Sequence, residues 1–210
     1  MHGSLQMLDL AALLCSRVCH DLISPVGAVI NGLEVLEDEN DEETKTFALD
    51  LIKKSARQAS ARLQFCRLAF GAAGSAGAAI DLGNAETVAR GLLEDDKTKI
   101  QWNLPRALLP KNQVKLLLNL LILAGQIIPR GGTLSVDSHG EGERQGFRIT
   151  IAGLNARIPQ AMPGLVSGEI ESAAIDAHAI QPFYTGLLAR TCGLSVSLAS
   201  AGQEVLLTAG

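Results

Sequence analysis

Aromatic residues are nearly missing from this sequence. They make up 3% of 210 positions, while apolar residues as a whole reach 47%. The core must therefore be built from Leu, Ile, Val and Ala. A basic excess is also missing: 18 Lys and Arg stand against 22 Asp and Glu, for a net charge of −4. A nucleic-acid partner is not expected, because a phosphate-binding footprint needs surplus positive charge. There is no run of 18 apolar residues, so no membrane span is expected. The N-terminus lacks a basic segment followed by an apolar signal core, and the expected location is the cytoplasm. Only four cysteines occur, Cys15, Cys19, Cys66 and Cys192. Three lie in strongly helical stretches, which points to reduced thiols rather than a disulfide framework. Cys19 and His20 are adjacent, so on a helix their side chains diverge by about 100°. No second pair with ligand spacing lies nearby, and no metal site is expected.

What is present begins with two long amphipathic patterns. Over residues 9–37, Leu14, Val18, Leu22, Val26, Val29, Leu33 and Leu36 recur three or four apart, one apolar stripe on a helix with Asp9 as its expected cap. The acidic stretch 37–43 predicts a turn, with Asn40 or Asp41 capping a second helix over about 42–70. Its apolar positions include Ala48, Ile52, Ala59, Leu63, Cys66 and Phe70. A short turn between two helices gives an antiparallel hairpin. Ala28, Val29, Ile30 and Leu33 widen the first stripe beyond what one partner helix covers. A homodimer forming a four-helix bundle is the expected solution, coverage by the rest of the same chain the alternative.

Residues 71–80 are small and Gly-rich and read as a linker, so that a hairpin over 1–72, a linker over 73–80 and a second unit over 81–210 are expected. The second unit predicts helices at 82–94, 111–128, 169–178 and 182–192. Strands are expected at Ile100–Leu104, Thr133–Ser138, Phe147–Ala152, Leu194–Ala199 and Glu204–Ala209. The fold class is α plus α/β: a helical hairpin followed by an α/β sandwich with one sheet face covered.

The stretch S-R-V-C-H-D-L-I-S-P, residues 16–25, places Pro25 inside the first helix. An interior proline removes a hydrogen bond and costs about 3 kcal/mol, which asks for a functional reason. With Leu22 at 0° on a helical wheel, Val18, Val26, Val29, Leu33 and Leu36 fall within about 40° and His20 at about 160°, nearly opposite. His20 is expected in solvent beside Arg17 and Ser24, with Gly27 and Asn31 further along the same outer face. An imidazole, ordinarily titrating at about 6.5, is substantially neutral at pH 7 and can act as a nucleophile. Asp21 could hold one ring nitrogen, and Arg17 could meet phosphoryl oxygens. His139, before Gly140, reads as a hairpin-turn residue, and His178 as a helix-end residue.

H-D-L-I-S-P-V, residues 20–26, resembles the H-box of sensor histidine kinases. N-L-L-I-L-A, residues 119–124, resembles their N-box, and I-T-I-A-G-L-N-A-R-I-P, residues 149–159, their adenine-binding strand and loop. The resemblance places the phosphorylated histidine at His20, its assisting acid at Asp21, and a dephosphorylation position at Ser24. Within the N-box it keeps Asn119 but has Leu123 where a magnesium-ligating Asn is expected. Gly153 stands at the adenine-reading Asp, with Asn155 and Arg157 at two glycine positions. Leucine cannot ligate a hard cation. A histidine retained on a degenerate ATPase domain is similar to the dimeric histidine phosphotransfer proteins of alphaproteobacteria, of the ChpT type.

That resemblance implies a phosphorelay without ATP binding. His20 would take a phosphoryl group from a receiver aspartate of a hybrid kinase and pass it to aspartates of response regulators, in cell-cycle control. No cofactor of its own is implied, since the receiver would bring magnesium. Three rival readings stand beside it: an active histidine kinase, opposed by Leu123 and Gly153; an adaptor that binds receivers without chemistry; and a receiver phosphatase in which Ser24 orients water.

Overall fold

The computed structural model describes residues 7–38, 41–71, 79–140, 145–169, 175–177 and 179–210. Two long helices come first, α1 (Met7–Asp38) and α2 (Glu42–Ala69). They pack as the expected antiparallel hairpin. Asp41 caps α2: its carboxylate accepts from the Thr44 N–H at 2.8 Å and from the Thr44 hydroxyl, satisfying donors that the first turn leaves free. The Asn40 alternative lies outside the described residues. Where the helices cross, Gly32 is buried against Ala48 and Ile52. A Cβ there would sit 2.6 Å from Ile52 Cγ1 and 3.3 Å from the Ala48 carbonyl, so only glycine allows this approach.

The remainder is the expected α/β sandwich. Strand β1 (Ala79–Asp81) pairs antiparallel with β3 (Leu108–Pro110). A mixed sheet runs in the order β2 (Thr98–Trp102), β4 (Gly132–His139), β5 (Gly146–Ala152), β7 (Glu204–Ala209), β6 (Val196–Ala201). β2 and β4 are parallel, joined across helix α4 (Lys111–Ile127), and the other pairings are antiparallel. Alternate residues Leu134, Val136, Ile149, Ile151, Val205 and Leu207 face the helices α3 (Leu82–Leu93), α4 and α6 (Ile180–Thr191) and are fully or almost fully buried. The opposite sheet face carries Ser135, Asp137, Arg148 and Thr208, the polar alternation of a sheet solvated on one side. Leucines dominate α4, which is buried nearly all round.

Several expectations need correction. Asp9 does not cap α1, because Met7 and Leu8 are already helical; its carboxylate sits in the first turn, favourable for the helix dipole. The expected linker over 73–80 lies outside the described residues up to 78, and its last two residues, Ala79 and Ile80, belong to β1. The helix expected at 169–178 is not formed by its described residues. A short helix α5 (Met162–Ser167) precedes them, with Pro163 in its first turn and Gly168 stopping it at φ 81°. Those two residues are the proline-in, glycine-out bracket of a helix, and the sequence reading placed the helix beyond it. His178 lies outside the described residues. Strands β2 and β6 are each displaced two residues from expectation, and β3 was missed because three residues ending in proline carry no alternation.

Apolar contacts tie the hairpin to the sandwich at both ends of their interface. Leu10, Leu13 and Leu14 of α1 pack on a buried cluster of Leu165, Ile175, Ile180 and Phe183. At the other end of the interface, the Phe70 and Tyr184 rings stack at 5.7 Å with a 48° tilt. One apolar row of α1 is left uncovered among the described residues: Ile23, Val26, Ile30 and Leu33, spaced three, four and three apart, are 70%, 47%, 51% and 47% exposed. Leu63 of α2, expected in the core, is also exposed, because Phe65 and Ala69 instead take the buried positions toward the sandwich. Over an 18-residue window α1 reaches a mean hydropathy of 1.4, and by length and composition it could cross a bilayer.

Candidate functional site

His20 lies on the outer face of α1, with its side chain 78% exposed. The wheel placed it there because the apolar stripe turns the opposite way. Asp21 stands beside it, half withdrawn: its Oδ1 is 3.5 Å from His20 Nδ1, an electrostatic contact just longer than a good hydrogen bond. The other carboxylate oxygen accepts from Arg17 Nε at 3.1 Å, one helical turn back. Arg17 is thus engaged with Asp21 rather than free. Nε2 of the imidazole faces away from the acid and is the nitrogen left open.

A cleft of about 370 Å³ opens in front of this group, walled by Ser16, Arg17, His20 and Asp21 on α1 and by Gln126 and Ala177 across from them. The sandwich therefore forms one wall of the space before the histidine. Gln126 and Ala177 were not among the expected site residues, since their approach depends on how the two parts dock. Ser24 and Asn31 are exposed, and a Cβ on Gly27 would meet nothing within 4 Å. These three continue the open face along α1 but do not line the cleft.

Behind Asp21 lies a second space of about 390 Å³, between hairpin and sandwich, lined by Arg17, Asp21, Arg62, Cys66, Lys97 and Gln126 among others. Arg62 reaches across from α2 and donates from Nη1 to the Asp21 backbone carbonyl at 2.8 Å. The Cys66 thiol is pushed up by burial and by the Asp21 charge, with Arg62 and Arg17 opposing. Arg62 and Cys66 also escaped the sequence reading. The one signal was Pro25, whose missing N–H leaves a carbonyl four residues earlier in need of a donor.

The residues expected around a degenerate nucleotide pocket are not gathered round one cavity. Asn119 is fully buried and works as a staple. Its amide donates to the Lys115 carbonyl at 2.7 Å and to Ala69 at the end of α2 at 3.2 Å. Its oxygen accepts from Gln181 Nε2 at 2.6 Å. Leu123 is fully buried in the core. Gly153 has no room for a side chain: a Cβ would lie 2.6 Å from the Gly131 carbonyl and 2.6 Å from Ile128 Cγ2. Only Asn155 and Arg157 share a space, an open groove with Pro129, Arg130 and Ala156. Asn155 takes φ 61°, the left-handed region that asparagine tolerates.

Among the described residues no cluster of three or more His, Cys, Asp or Glu is placed to hold a metal ion. All four cysteines are free thiols. His139 ends β4, and its Nδ1 accepts from Arg148 at 2.7 Å.

Residues 82–204 match the family of the histidine phosphotransferase C-terminal domain. The chain is 50% identical over 206 residues to the protein phosphotransferase ChpT of Brucella abortus, covering 98% of this chain and 97% of that one. A bacterial phosphotransferase solved at 1.7 Å superposes with a TM-score of 0.89 at 46% identity, with all of both chains covered.

Proposed function

Because the chain belongs to the histidine phosphotransferase family and is a phosphotransferase, we propose that it is a phosphorelay intermediate whose transferred group rides on His20. The observation that carries this reading is the exposed imidazole with an acid at its Nδ1 side and an open cleft in front. The donor would be a phospho-aspartate on the receiver domain of a hybrid histidine kinase, and the acceptors aspartates of response regulators, in a cell-cycle relay.

The transfer balances simply. The lone pair on Nε2 of neutral His20 attacks phosphorus in line with the acyl-phosphate oxygen. A P–N bond forms, the P–O bond breaks, and the receiver aspartate leaves as a carboxylate. The proton on Nδ1 stays, facing Asp21, whose charge stabilises the cationic phosphoimidazole. Passage to a second receiver runs the same step in reverse. Phosphoryl transfer needs alignment and charge neutralisation more than covalent machinery. The receiver would bring its own magnesium, and the chain itself is read as needing no cofactor. Gln126 and Ala177 let the sandwich grip the receiver from the side while Ser24, Gly27 and Asn31 leave room along α1.

Loss of ATP binding belongs to the same reading. It is supported by the buried Leu123 and by the filled space at Gly153. The homodimer is supported by the uncovered row Ile23, Val26, Ile30 and Leu33, whose spacing is that of a helix-packing seam. That row suits a second copy better than lipid. α1 carries Arg17, His20 and Asp21 mid-helix, and its partner α2 bears Lys53, Lys54, Arg57, Arg62 and Arg67, all costly in hydrocarbon. No membrane and a cytoplasmic location follow from this reading.

The test is transfer from a labelled receiver. Label should reach the wild-type protein and then a second receiver, and should not reach His20→Ala. Unlabelled wild type with undiminished receiver binding would favour the adaptor instead, and labelling from ATP alone would favour the kinase.

A further inference from the structure

Pro25 has no N–H, so the carbonyl four residues before it cannot make its helical hydrogen bond. That carbonyl belongs to Asp21. It is the atom to which Arg62 donates, at 2.8 Å, from the facing helix 41 positions along the chain. The same residue's side chain contacts His20 Nδ1 and Arg17. The proline thus frees a backbone acceptor within the functional turn, and the second helix fills it.

We propose that Arg62 is a positioning residue for phosphoryl transfer: it clamps the backbone of α1 at Asp21 and so holds the Asp21 carboxylate and the His20 imidazole in register with the cleft. Three observations support this. Among the described residues Arg62 forms no ion pair, although guanidinium groups ordinarily seek carboxylates. Its Nε is buried and, among the described residues, has no hydrogen-bond partner, an arrangement that stability alone disfavours. And the one side-chain hydrogen bond it makes among the described residues falls on the carbonyl that the proline has stripped. Without the clamp the freed turn can swing, and the imidazole loses its fixed angle to an arriving phosphorus. A misplacement of that kind lowers the rate of transfer rather than the binding of the receiver.

The proposal rests on His20 as the phosphorylated residue, and the experiment separates the two. Transfer from a phosphorylated receiver is followed in wild type, Arg62→Met, Pro25→Ala and the double variant, with His20→Ala as reference. In Pro25→Ala the backbone N–H at position 25 returns and satisfies the Asp21 carbonyl without Arg62. Arg62→Met should slow maximal transfer about tenfold or more, at unchanged half-saturating receiver concentration. In the Pro25→Ala background the same substitution should have no further effect. Equal losses in both backgrounds, or wild-type rates in Arg62→Met, would overturn the clamp while leaving the relay intact. Transfer by His20→Ala would overturn the relay itself. Melting curves accompany each variant. If Arg62→Met does not fold, Pro25→Ala against the double variant still decides: identical rates support the clamp and a further loss refutes it.

Discussion

Asp21 serves three neighbours at once: the imidazole beside it, Arg17 one turn back, and Arg62 through its backbone carbonyl. Its carboxylate orients the ring, and replacing it by Asn should cost on the order of 10²-fold in transfer rate. Receiver binding, measured by titration calorimetry, should change little; an equal loss in affinity would mean that Asp21 acts in docking instead. At the far end of the hairpin, Asp41 gives a pH prediction. The Thr44 N–H, and then its hydroxyl, hold the Asp41 carboxyl below its ordinary 3.8. A folded value below the unfolded one stabilises above the unfolded value, and the gain disappears as pH falls through the folded value. The stability gap between wild type and Asp41→Asn should therefore shrink as pH is lowered from about 6 to about 2. A gap independent of pH would exclude the charge. His20, Asp21 and the Asp41 cap were legible in the sequence because each depends on residues within one or two turns. Arg62 was not, because its contact spans two helices and addresses a backbone atom.

Between elements, the hairpin and the sandwich are joined by polar staples at the end of α2. The last carbonyls of that helix lack intrahelical donors. Asn119 reaches the Ala69 carbonyl and Lys115 the Phe70 carbonyl at 3.3 Å, while Gln181 of α6 holds Asn119 from behind. Burial pushes the Lys115 ammonium below its ordinary value, with Lys111 adding to the effect. The asparagine that looks like a nucleotide-site residue has become a joint between domains. Asn119→Leu should cost about 1–3 kcal/mol for each buried group left unpaired, seen as a lower midpoint in denaturant. A midpoint equal to wild type would show the staple to be idle. Rebuilding the kinase residue at position 153 should also fail. Gly153→Asp must push aside the Gly131 carbonyl and Ile128, a cost of about 1–3 kcal/mol by analogy with overpacked cores. Calorimetry with ATP and magnesium should show no binding; a titratable isotherm would refute a closed pocket. Motif likeness found where Asn119 and Gly153 stand along the chain but could not show that one faces α2 and the other a filled corner. Helix α5 shows the same limit at shorter range: Pro163 and Gly168 bracket it, yet six residues are too few for a periodic pattern to reveal.

For the molecule as a whole, the hairpin and the α/β character of the second unit were readable from periodicity, because long apolar stripes and alternating strands dominate the chain, whereas β1, β3 and α5 were too short to show. The docking of sandwich onto hairpin was not, since it depends on Leu10, Leu13 and Leu14 meeting Phe183 and its neighbours, contacts with no local signature. The unpaired row on α1 bears on assembly. Ile30→Asp places a charge in the proposed seam and should convert a dimer to a monomer in sedimentation; a dimer that survives would move the interface elsewhere. The relay through His20 is tested most directly by ¹⁵N and ³¹P NMR of imidazole-labelled protein mixed with a phosphorylated receiver domain. The account predicts a phosphoryl group on Nε2 of His20. A phosphoryl group on any other residue, or an unmodified His20 while the receiver loses its phosphate to water, would contradict it.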